Sequence, residues 1–230
     1  MTDSLAFGFS QLSLAFFTTF GPSAAFAYVL LAALLLFGNL APEQQEKLDH
    51  YLLIPISLGI LGVLASTTHL GKPSNSLFVL TGIGRSPLSN EVFAAVVFVG
   101  IVWLRWLLGY SKHPLSRVKR ILLVAGALAA LGQIWFTANA YSIRTIIAWS
   151  LPFTQVNQIS AAIFGGCLLA KITLWASRTK ANHAASIAIV AIACLALTTL
   201  AASEVMQCTT LTGTHSTLSP ENHQVGTYIP

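Results

Sequence analysis

Apolar residues along this chain do not alternate with polar ones; they run in long blocks separated by short polar stretches. A bilayer crossing takes about 20 mostly apolar residues. On that measure the pattern predicts six helical spans, the first within Ser13–Phe37. The others run over about Leu52–His69, Glu91–Leu108, Ile121–Tyr141, Phe153–Trp175 and Ala184–Glu204. Nowhere does the sequence show the weak, roughly ten-residue alternation of an outer-membrane barrel. The first block has two readings, because no charge appears between Asp3 and Glu43 and Gly21-Pro22 interrupts it. It is one long helix from near Ser10 with a kink at Pro22, or a short interfacial segment followed by a span that opens at Pro22. Two full spans do not fit.

Composition agrees with the pattern. The sequence is 55% hydrophobic and 8% charged, with a mean hydropathy of +0.73, whereas soluble domains carry about 25% charged residues. The expectation is an all-α, polytopic transmembrane helical bundle over residues 1–206. Residues 207–230 form a polar tail without apolar periodicity, expected to be loosely ordered. The opening MTDSLAFG lacks the basic head of a cleavable signal peptide, so the first helix is expected to stay.

Charge fixes orientation. The loop after the third span, SKHPLSRVKR, carries Lys112, Arg117, Lys119 and Arg120, and the loop after the fifth carries Arg178 and Lys180. Arg105 and Lys171 lie near the same ends and are expected to snorkel. Loops rich in Lys and Arg stay in the cytoplasm. Both termini, the His69–Glu91 connection and the segment around Arg144 then face outward. The net charge of +5 is explained by topology and gives no reason to expect nucleic-acid binding. Cys167, Cys194 and Cys208 form no CxxC pair, so neither an iron–sulfur cluster nor a zinc site is expected in this protein.

Candidate chemistry gathers in the outward connection HLGKPSNSLFVLTGIGRSPLSNE, residues 69–91. Ionisable groups at the lip of a membrane are expensive and tend to serve a ligand or the fold. His69 ends one apolar block, and Gly71 and Pro73 stop the helix just beyond it. Its imidazole suits proton exchange near neutral pH; the structural alternative is a hydrogen bond to a neighbouring helix. Glu91 opens the next block. Its structural reading is a first-turn acid behind a Ser89 cap; its functional reading is a carboxylate that relays protons to water. Arg85 and Lys72 flank the apolar Leu77-Phe78-Val79-Leu80, a short interfacial helix. Arg85 either anchors the loop through a carboxylate such as Glu91 or meets a partner subunit. In the next outward segment, with Tyr141, Arg144, Trp149 and Pro152, the aromatics read first as interface anchors and second as a wall of the same site. Glu204, near the same face, is either a further ionisable group there or the mark of a helix end. No phosphate loop, nucleophile elbow or HExxH helix is present. Only His69 lies at a depth suited to haem ligation, so no b-type haem is expected.

The HLGKP and GIGRSPLSNE segments, at this separation, resemble the membrane anchor subunit of the dimethyl sulfoxide reductase (DmsC) family. The likeness is specific over Ala65–Val92 and looser through YSIRTIIAWSLPFT. It implies a menaquinol-oxidising anchor in a bacterial inner membrane. Its partners would be an iron–sulfur electron-transfer subunit and a molybdopterin catalytic subunit. The family's histidine at the end of the second helix falls on His69, and its glutamate at the start of the third falls on Glu91. Arg85, Ser86, Leu88 and Ser89 match the motif between them. Relatives of this kind usually have eight spans against six expected here, a lost helix pair or a truncation. Two other readings compete: a small transporter, which would want charged or broken helices at the midplane, and an anchor that has lost its quinol site.

Overall fold

In the computed structural model the backbone is described for residues 2–69, 73–110, 116–142 and 151–215, with side chains over a subset of these. No strand occurs among the described residues. Helix α1 (Thr2–Phe37) is continuous with Pro22 inside it, the first of the two readings. Pro22 has no N–H for the Thr18 carbonyl, and next to it the Ser23 hydroxyl donates to the Thr19 carbonyl at 2.6 Å.

The acidic stretch after α1 is a helix and not a loop. α2 (Pro42–Tyr51) starts with proline in its first turn and Glu43 beside it, both suited to a helix N-terminus. α3 (Leu53–His69) follows after a break at Leu52. The cause is Pro55, which cannot donate to the Tyr51 carbonyl and whose ring crowds it. The second crossing therefore spans Pro42–Ala65 and begins earlier than hydropathy alone predicts. A 3-10 segment (Pro73–Gly82) leads to α4 (Pro87–Leu107), then come α5 (Ser116–Ala140), α6 (Pro152–Ala176) and α7 (His183–His215). Among the described residues, six helical stretches are long and apolar enough to cross a membrane. α7 continues past Glu204 and Gln207 to His215; residues 216–230 lie outside the described part.

α1 is the hub, packed against α3, α5 and α6, while α4 lies on α5 and α7 chiefly on α6. The core joins Tyr28 and Leu31 of α1, Leu48, Leu52 and Ile56 of the α2–α3 corner, and Phe98 and Val102 of α4. Tyr28 and Phe98 meet edge to face at 5.8 Å. Below them Arg105 is buried and paired with Asp49 of α2. It does not snorkel: the helical α2 brings a carboxylate to it, and a buried charge is tolerated when paired. The Trp106 indole N–H donates to the His50 carbonyl at 3.0 Å, fastening α4 to the same corner.

Candidate functional site

The GIGRSPLSNE segment folds into a tight corner that sets the start of α4. Gly84 has φ 81, a left-handed value that glycine adopts without strain, and its N–H donates to Asn90 Oδ1 at 2.6 Å. At Gly82 a Cβ would lie 2.5 Å from the Ser89 hydroxyl, so a side chain there would push the corner away from the helix. The cap is Ser86, whose hydroxyl accepts from the Ser89 N–H at 3.5 Å, with Pro87 first in the helix. Ser89 is thus inside α4 and is not its cap. Glu91 accordingly sits in the second turn, and α4 has no acidic residue in its first turn. The dipole explanation for a carboxylate here loses most of its force, since that effect fades beyond the first turn.

Glu91 is 0% exposed. Neither of its carboxyl oxygens has a hydrogen-bond partner among the described residues. Thr137 of α5 faces the carboxylate, but its hydroxyl also closes no hydrogen bond of good geometry, and one turn along the same face the Gln133 side-chain oxygen is unpartnered too. Thr137 and Gln133 are each 1% exposed. The Gln133 amide nitrogen sits 3.2 Å from where a Cβ on Gly21 would lie, and Gly62 of α3 packs on Gly21 in turn. Residues of α1, α3, α4 and α5 therefore converge around a buried polar strip. Tyr141, eight residues beyond Gln133, continues the strip towards Glu91. Buried polar atoms are nearly always satisfied, and unsatisfied ones cost about 1–3 kcal/mol each. A strip of them on two facing helices fits a site that receives a polar ligand or water.

The other expected residues are placed differently. α3 ends at His69, whose side chain lies outside the described residues, as do Lys72, Arg144 and Trp149. Arg85 is exposed and donates to the Thr81 carbonyl at 3.4 Å; it does not pair with Glu91. Glu204 accepts from the Asn157 amide at 2.8 Å and so fastens α7 to α6. Sequence reasoning missed Thr137 and Gln133. Their signal is the spacing 133, 137, 141, one face of a helix, inside an otherwise apolar block.

Similarity to known proteins extends over nearly the whole sequence. The family described as DMSO reductase anchor subunit (DmsC) matches residues 5–229. The protein is 29% identical over 213 residues to the C subunit of the anaerobic dimethyl sulfoxide reductase of Escherichia coli, covering 92% of this sequence and 73% of that one. It is 28% identical over 222 residues to the YnfH subunit of an anaerobic dimethyl sulfoxide reductase of the same organism, covering 96% and 76%. No solved structure matches.

Proposed function

The chain belongs to the DMSO reductase anchor subunit family, a multi-pass membrane anchor in a reductase complex, and on that premise we propose that it oxidises menaquinol between α3, α4 and α5. Electrons pass to an iron–sulfur subunit, which feeds a molybdopterin catalytic subunit. The observation that carries this reading is Glu91, a fully buried carboxyl group with both oxygens unpartnered, opposite the unpartnered Thr137 hydroxyl.

The residues suit the chemistry. A quinol becomes a quinone by losing two hydroxyl protons and two electrons. One hydroxyl entering the strip donates to a Glu91 oxygen and accepts from Thr137. As electrons leave, the carboxylate takes that proton, which is general-base chemistry by a positioned side chain. The other proton goes to His69, at the end of α3 across the 3-10 corner. Gln133 fixes the depth at which the ring stops. Apolar walls from α1 and α4 accept the isoprenoid tail. The partner that takes the electrons docks on the corner, where Phe78, Ile83 and Leu88 are exposed apolar residues beside Arg85. Exposed apolar side chains grouped around a basic one suit a protein interface.

The test is binding. A fluorescent quinol-site ligand titrated into membranes holding the complex should bind the native anchor. It should bind at least tenfold more weakly to Glu91→Gln and to His69→Ala. Equal affinity in all three would remove the quinol site from this place, whatever the fate of the partners.

A further inference from the structure

A second site lies at the opposite end of the bundle, where α6 turns into α7. A cavity of 800 Å³ opens there, lined by Lys171, Trp175, Arg178 and Lys180 among others, with no carboxylate in its described walls. Along the sequence these cations lie in a stretch without Asp or Glu between Glu91 and Glu204, and although the acidic α2 touches α6, none of its carboxylates lines the cavity. Lys171 donates to the Ser186 hydroxyl, which draws its ammonium into the cavity. Arg178 and Lys180 are exposed.

Arg178 occupies an unfavourable backbone position. It has φ 54 and stands just after the last turn of α6. Its N–H bonds to the Trp175 carbonyl and the Thr179 N–H to the Leu174 carbonyl, each at 3.1 Å. That pairing is the Schellman helix end, whose left-handed residue is usually glycine. An arginine there costs about 1 kcal/mol relative to glycine and aims a guanidinium at the cavity mouth.

The surroundings are those of a membrane interface. Trp175 is 82% exposed, as suits an indole at headgroup level. From it, exposed Leu168 and Ile172 run along α6, and Ile187 and Val190 along α7. Cations at the head of two apolar flanks match a phosphate with acyl chains below it. We propose that this corner binds an anionic phospholipid, with Lys171, Arg178 and Lys180 on the phosphate and the acyl chains along α6 and α7.

The full-length protein in mild detergent tests this with phosphatidylglycerol, phosphatidylcholine and inorganic phosphate as probes. Retained lipid is read by native mass spectrometry, and the Tm is followed in parallel. Phosphatidylglycerol should be retained about tenfold more tightly than phosphatidylcholine and should raise the Tm. Arg178→Gly relieves the helix end, so its Tm without lipid should match or exceed the native value. Its preference for phosphatidylglycerol should fall about fivefold, and adding Lys180→Ala should abolish the preference. The proposal is overturned if the variants keep the native preference, if the two lipids are retained equally, or if inorganic phosphate reproduces the Tm rise.

Discussion

The quinol oxidation proposed for this anchor turns on Glu91, on Thr137 facing it and on Gln133 one turn further along α5. Thr137→Val keeps the volume of the side chain and removes the hydroxyl that the proposal sets against the quinol oxygen. Quinol oxidation should fall about tenfold, the worth of one neutral hydrogen bond, with the amount of assembled complex unchanged. At the far end of α4, Asp49→Asn leaves the Arg105 guanidinium buried without its counter-charge. Stability should drop by about 3 kcal/mol, read as a lower Tm in detergent, and without direct effect on the quinol affinity of the protein that remains folded. Glu91 was legible in the sequence because a carboxylate at the head of an apolar block stands out. Thr137 and Gln133 were not, since uncharged polar residues occur in many membrane helices. Only the partner helix shows that theirs lack hydrogen bonds. The Asp49–Arg105 pair was also invisible, because it joins residues far apart in sequence.

At the scale of elements, the corner before α4 is a small machine for placing Glu91. Its glycines and its serine cap do separate jobs, and single substitutions separate them. Gly84→Ala forces a Cβ into a left-handed position and should cost about 1–2 kcal/mol. The expected readout is weaker quinol-ligand binding and faster proteolysis between Thr81 and Pro87, with the rest of the bundle intact. Ser86→Ala removes only the cap and should cost about 1 kcal/mol. The sequence marked this segment as a corner through its Gly and Pro residues. It misplaced the cap by three residues, because Ser86 and Ser89 offer the same side chain and only the extended backbone of Ser86, with its hydroxyl on the Ser89 N–H, decides between them. The helix α2 leaves no mark in the hydropathy pattern, because hydropathy reports burial in lipid and not helicity. A polar helix ahead of Pro55 leaves no apolar trace.

For the whole molecule, six crossings alternate the connections between two sides. The 3-10 corner and the α5–α6 connection share one side, and the α4–α5 and α6–α7 connections share the other. The number and order of spans were legible, because length and apolarity are local properties. How the helices pack around α1 was not, since apolar faces in lipid carry no inside-or-outside signal in their composition. With the native cysteines replaced, Arg85→Cys should react with a membrane-impermeant reagent from outside the cell, and Arg178→Cys only after the cytoplasmic side is opened. The role of Glu91 is decided by turnover of the assembled complex carrying Glu91→Gln, with menaquinol as donor and then with a soluble reductant that bypasses the anchor. The expected outcome is a loss of about 100-fold with menaquinol and native turnover with the soluble donor. Native turnover with both donors would show that quinol is oxidised without this carboxylate.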